Sequence, residues 1–250
     1  TDNTSSFVES AYISHKISND FKLQFGKQFL FIGGRELDYE AARVYEYSLA
    51  TNFAVYYPLR EAGVTATWVV GGNQAIILKG YNAEKPTNAS GNTSQRNLGY
   101  GLSWYGNLLD GAIKPIFSYD IRPTSRTGNA TDKYLALGAR FIFKKLYLET
   151  EKSASGNLDE QVVSTTGKIN YNFAPKQNAF IKFSDGEKKL GGSKDYSQSL
   201  YVLAYEYEVT DKFLYNVSYS SIENTPVAGS STVASTVNKI RLGLTYTFQA

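Results

Sequence analysis

The sequence predicts an all-β fold, a transmembrane antiparallel up-and-down β-barrel, and three observations carry that expectation. The first is a two-residue period, clearest in Thr236–Phe248, where Ile240, Leu242, Leu244, Tyr246 and Phe248 alternate with Lys239, Arg241, Gly243, Thr245 and Thr247. As a strand, this stretch has one apolar and one polar face, and in a closed barrel lipid covers the apolar face without a second layer of structure. The second is an alternation of long polar connections with very short ones, the rhythm of a barrel whose long loops face outside and whose short turns face the periplasm. The third is composition: the 250 residues include 20 Tyr and 14 Phe but 2 Trp and no Met, a balance suited to strands and interfacial belts.

Composition also excludes several classes. No stretch approaches the roughly 20 consecutive apolar residues of a spanning helix, so a helical membrane protein is ruled out. The absence of Cys removes disulfides and thiolate chemistry, and a net charge of +3 is too small to point to nucleic acid. A mean hydropathy of −0.33 would suit a soluble protein, but it equally suits strands in which only every second residue is apolar.

In chain order, Ser6–Lys16 and Phe21–Leu30 read as strands joined by a turn over Ile17–Asp20, with Phe21, Leu23, Phe25 and Phe29 on one face and Lys22, Gln24 and Gln28 on the other. Phe31–Glu61 is a long irregular connection opening with Gly33-Gly34. It holds one helical-looking segment, Asp38–Ser48, with Asp38 as its cap. A hairpin follows, Ala62–Val70 and Ala75–Asn82 around Gly71–Asn73. From there long connections are expected at Ala83–Gln95, Pro123–Thr131, Ser153–Gln161, Asp185–Asp195 and Glu223–Ser235. Short ones are expected near Asn107–Gly111, Lys144-Lys145, Ala174–Gln177 and Val209–Lys212. Strands of about 8–13 residues lie between them, close to what a tilted strand needs to cross a bilayer. The count is 13 within a range of about 12–16. Single-chain bacterial barrels have even numbers, so the expectation is that one or more strands precede Thr1. Residues 1–250 read as one domain, with 31–61 a candidate loop folded into the lumen.

Alternation then assigns the faces. Lipid-facing sets include Ile113, Phe117 and Ile121; Leu135, Leu137, Phe141 and Phe143; Ile169, Tyr171 and Phe173; and Phe213, Tyr215, Val217 and Tyr219. The opposite face carries Lys22, Lys114, Arg122, Arg140, Lys168, Lys182, Lys239 and Arg241 against Asp120, Glu149, Glu151 and Glu206. Charges of this number cannot sit in a dry interior, where an unpaired one costs several kcal/mol, so the lumen must hold water. The expected pore-lining residues are Lys22, Lys114, Arg140, Lys168, Lys182, Lys239 and Arg241. Across from them the loop offers Arg35, Glu36, Asp38, Glu40 and Arg43, within a net acidic stretch, and opposed charges across a narrow opening set up a transverse field.

Short motifs carry a family resemblance. Glu9–Lys16 with its turn, Phe21–Gln28 and Phe31-Ile-Gly-Gly34 resemble the hairpin and following loop of the phosphate-selective porin O and P family, and Pro58–Val64 and Gly80-Tyr-Asn82 are similar too. The terminal strand, amphipathic and ending at Phe248 before Gln249 and Ala250, resembles the C-terminal signal read by the outer-membrane assembly machinery. The resemblance covers residues 9 to 82. It implies a porin in the outer membrane of a Gram-negative bacterium, a 16-stranded homotrimer with further strands ahead of this hairpin, surrounded by outer-membrane lipid and lipopolysaccharide. The family's basic phosphate-binding ladder finds no matching run here. Together with the charged inner face, this gives the expected function: passive diffusion of ions and small hydrophilic solutes with weak anion preference. The competing reading is a non-conducting adhesin or structural barrel. Catalysis is not expected, because the single His15 lies beside the Ile17–Asp20 turn at the periplasmic rim, whereas barrel hydrolases work at the outer rim, and a Ser-His-acid arrangement needs its base oriented by a third group. No cofactor is expected, and one His with scattered carboxylates makes no metal cluster.

Overall fold

The computed structural model describes residues 10–29, 33–37, 45–55, 60–71, 73–82, 98–123 and 131–246. They form one antiparallel sheet of 13 strands in sequence order. The strands are β1 (Ala11–Lys16), β2 (Phe21–Phe29), β3 (Arg60–Val70), β4 (Gln74–Asn82), β5 (Leu98–Tyr105), β6 (Ile113–Pro123), β7 (Thr131–Phe143), β8 (Leu146–Gly156), β9 (Glu160–Ala174), β10 (Gln177–Leu190), β11 (Ser193–Thr210), β12 (Phe213–Pro226) and β13 (Ser235–Tyr246). One helix, α1 (Leu49–Val55), lies between β2 and β3. Each strand pairs with the next, and among the described residues no ladder joins β1 to β13.

The two-residue period decides the faces as the sequence predicts. On β7 the buried Asp132, Tyr134 and Ala136 alternate with outward Leu135 and Leu137, which are 41% and 61% exposed. On β9 to β13 the outward set runs Ile169, Ile181, Leu203, Val217 and Leu242, all exposed. In water an apolar band of this extent would drive aggregation, whereas lipid satisfies it. The architecture is that of a transmembrane up-and-down barrel wall.

Several boundaries differ from expectation, and the cause is polar strands. Ser153–Gln161 and Asp185–Asp195 were expected as long connections, yet β8 to β11 run nearly through both, leaving the turns Asn157–Asp159 and Gly191-Gly192. At this end both faces of the strands meet water, so alternation of hydrophobicity vanishes while the backbone ladder continues. The hairpin is closed by Gly191 and Gly192 at φ of 55° and 82°, the paired positive angles that a tight two-residue turn demands. The Asn157 side chain organises the other turn, accepting from the Asp159 and Glu160 amides at 2.9 and 3.1 Å. β11 reaches 18 residues, longer than the expected strand range.

The expected helix over Asp38–Ser48 also differs at its described end. Tyr45–Ser48 is irregular, α1 starts at Leu49, and residues 38–44, with the Asp38 cap, lie outside the described residues. Ser48 takes the capping place instead, with its carbonyl accepting from Asn52 N at 2.8 Å and its hydroxyl 3.5 Å from Thr51 N.

Candidate pore lining and constriction

The described parts of segment 31–61 sit against the inward face of β5 to β13. Three apolar patches seat them. Tyr45 packs on Phe180, Leu200, Val202 and Ala204; Leu49 and Ala50 on Val162; Ala54 and Leu37 on Tyr134 and Ala136. Strict alternation leaves inward Val162, Leu200 and Val202 unexplained in a watery lumen. They are apolar because this segment covers them.

Two glycines allow the close approach at its start. Gly33 and Gly34 adopt φ of 90° and 93°, and a Cβ on either would fall 1.7 Å from Ser118 Oγ or 2.6 Å from Tyr134 Oη. Past them, the Arg35 amide donates to a Glu151 carboxylate oxygen, and the Arg35 guanidinium donates to the Lys114 carbonyl.

Polar anchors then tie the segment to the basic wall. The Glu36 carboxylate pairs with Lys182 and accepts from the Ser48 amide at 3.0 and 3.1 Å. Burial alone would raise the Glu36 pKa, but the Lys182 ammonium and hydrogen bonds from Lys182, Ser48 and Thr51 outweigh it and hold the group below its ordinary value. Glu46 reaches the last strand, where its Oε1 lies 2.9 Å from Lys239 Nζ and 2.7 Å from an Arg241 guanidinium nitrogen. Lys182 Nζ also donates to the Glu46 carbonyl at 2.5 Å, Tyr45 Oη donates to Glu206 at 2.7 Å, and Ala50 N donates to Ser164 Oγ at 2.9 Å.

The sequence-assigned residues therefore fall into three groups. Lys182, Lys239 and Arg241 meet the inserted segment through carboxylates. Arg140 pairs with Glu149, and Lys168 Nζ stands 4.1 Å over the Phe180 ring; Glu149 and Lys168 border a cavity of about 40 Å³ between segment and wall. Lys22 lies in an inward row opposite Thr67, exposed and away from this cluster, and Lys114 contributes its carbonyl. Of the loop set, Arg35 and Glu36 are buried against the inward face, and Asp38, Glu40 and Arg43 lie outside the described residues.

Two features escaped the sequence reading. Glu46 was counted only in the loop's charge although it ties the segment to β13. Lys79, inward by the same alternation that turns Leu78 and Gly80 outward, reaches over Gly101 of β5 to Asp120 of β6 at 2.8 Å. A Cβ on Gly101 would lie 2.4 Å from the Lys79 chain, so the bridge depends on that glycine.

A single antiparallel meander with an apolar outer band and a charged inner face is the wall of a transmembrane β-barrel of porin architecture. Residues 1–116 match the family described as phosphate-selective porin O and P. Among solved structures the chain resembles the outer-membrane-expressed OmpT of Vibrio cholerae at 13% identity and a TM-score of 0.69, covering 96% of this chain and 81% of that one. It resembles the outer-membrane channel DcaP of Acinetobacter baumannii at 11% identity and 0.70, covering 96% and 74%. An anion-selective porin from Comamonas acidovorans matches at 11% identity and 0.68, covering 96% and 78%. No curated protein sequence matches the chain. Porins are non-enzymatic channels, and the chain has their fold.

Proposed function

We propose that the protein is a water-filled channel for passive diffusion of ions and small hydrophilic solutes, narrowed by segment 31–61 and weakly anion-preferring. The observation that carries this reading is the seating of Glu36 and Glu46 on Lys182, Lys239 and Arg241, which sets an acidic strip against a basic wall. Such opposed charges act on a permeating ion through a transverse field. The preference is weak because these cations already face carboxylates. Lys168 adds further positive charge at the small cavity beside the segment. The anion-selective porin with the same fold supports the sign, and a trimer form of OmpT supports assembly as a homotrimer.

Purified protein in planar bilayers tests the channel reading. Stepwise ohmic conductance is the expected result. A correctly inserted but electrically silent barrel would overturn it and leave the adhesin reading standing.

A further inference from the structure

The hairpin of β1 and β2 carries two cations that the seat of segment 31–61 does not use. Lys16 and Lys22 stand directly across from one another in the last paired row before the Ile17–Asp20 turn. Which side of the sheet they occupy follows from the row that continues from Lys22 through Thr67, Ile77, Ser103 and Ser118 to Ala136. Ser103, Ser118 and Ala136 are fully buried, and Ala136 belongs to the patch that receives Leu37 and Ala54 of the segment, so the row faces the lumen. The next inward row of the hairpin, Ser14 with Gln24, is uncharged. α1 rests on β8, β9 and β10, away from this hairpin.

Both lysines are exposed, and neither makes an ion pair among the described residues. Asp20, in the turn itself, is the one acid in residues 10–29. Like charges directly opposite on one face of a strand pair repel, which costs stability. Water and mobile anions relieve that repulsion, and an open mouth supplies both. The cations of the seat stand differently: Lys182 faces Glu36, Lys239 and Arg241 face Glu46, and Arg140 faces Glu149. An ion passing them meets paired charge. At Lys16 and Lys22 it meets two positive charges side by side, with Cβ atoms about 5 Å apart, closer together than the Debye length of about 10 Å at 0.1 M salt.

We infer that Lys16 and Lys22 form a second selecting point of the pore, at the mouth that the short turns place on the periplasmic side, where they concentrate anions independently of the segment. This rests on the channel reading and adds a direction to it. Positive charge gathered at one mouth makes the current depend on the sign of the voltage, because anions driven inward past the pair enrich the lumen, while the opposite voltage depletes it.

Single channels in planar bilayers test this at two salt concentrations. At about 0.1 M, where the Debye length is about 10 Å, the wild type should pass more current at the polarity that drives anions inward from the periplasmic mouth; at about 1 M, where it is about 3 Å, the two polarities should give equal currents. Lys16→Gln/Lys22→Gln should lose the asymmetry at the lower salt. Lys16→Glu/Lys22→Glu should invert it and move the reversal potential toward cations. Lys176→Gln, in the β9–β10 turn at the same rim on another part of the wall, should keep the wild-type asymmetry. The channel steps of each variant show that it has folded and inserted. Equal currents at both polarities in the wild type at the lower salt, or wild-type asymmetry retained by both double variants, would overturn the inference and leave the channel reading intact. An electrically silent wild type would overturn both.

Discussion

At the scale of single residues, the inner wall is governed by charges that are buried and paired. Glu36 is the clearest case, because its carboxylate is held below its ordinary pKa of 4.5 by Lys182 and by hydrogen bonds from Ser48 and Thr51 despite burial. A depressed carboxylate contributes stability that is fully present above its ordinary value and is lost as pH falls through the lower folded value. Facing it are Lys182 of β10 and Glu151 of β8, with Arg35 beside it on its own segment. Glu36→Gln should therefore cost about 3 kcal/mol at neutral pH, the usual effect of stranding one member of a buried pair. The loss should shrink on acidification below the carboxylate range, where wild type has also lost the contact; unfolding in detergent at the two pH values measures it. A second residue-scale prediction concerns Lys79 and Asp120, buried at 2% and 4% side-chain exposure. Lys79→Met leaves the Asp120 charge without its ammonium and should destabilise by about 3–5 kcal/mol, while Lys79→Met/Asp120→Leu should recover most of that. Equal losses in the single and double variants would show that the pair is not the source of the effect.

At the scale of elements, legibility followed the solvent on each face. Where one face met lipid, as along β7 or β13, the period of two fixed both the strand and its orientation, because a slip of one residue would turn every apolar side chain inward. Where both faces meet water, as in Asp185–Asp195, the sequence looks like a loop, and only Gly191-Gly192 marked the true turn. The seat of segment 31–61 was hidden for a different reason. Leu200, Val202 and Val162 break the alternation because of partners more than a hundred residues earlier in the chain, Tyr45 for the first two and Leu49 and Ala50 for the third, information that no local pattern contains. Lys182, Lys239 and Arg241 could be assigned inward from alternation, but their partners Glu36 and Glu46 are set by the fold of the segment. The hairpin prediction belongs here. A Cβ at Gly191 or Gly192 would meet nothing within 4 Å, so space is not the constraint and backbone angle is. Gly192→Val should cost about 1–2 kcal/mol through its positive φ alone. Gly33→Ala should instead act through collision with Ser118 and dislodge the segment, lowering stability and altering conductance together. A Gly192→Val variant as stable as wild type would remove the turn argument.

At the scale of the whole molecule, the proposed channel sets its selectivity through the wall and segment 31–61 together. Two unit charges ~4 Å apart interact by ~4 kcal/mol at an effective dielectric near 20, and at physiological salt the Debye length is about 8 Å, so only charges near the path of a permeating ion count. Lys239 and Arg241 are 38% and 45% exposed in their side chains while Glu46 is 13% exposed, so the carboxylate is the more enclosed partner and the cations reach toward solvent. Removing the Glu46 charge by Glu46→Gln should then unmask two lumenal cations and move the reversal potential across a salt gradient toward stronger anion preference. Lys168→Glu/Lys182→Glu should move it the other way, because it adds two negative charges beside Glu149, Glu151 and Glu36. Opposite shifts from the two variants are the signature of a wall and a segment acting as one filter. If Glu46→Gln leaves the reversal potential unchanged while conductance persists, Lys239 and Arg241 lie off the permeation path. If the lysine double variant is no more cation-preferring than its parent, the basic wall does not set selectivity, and the field at the narrowest point must come from the segment alone.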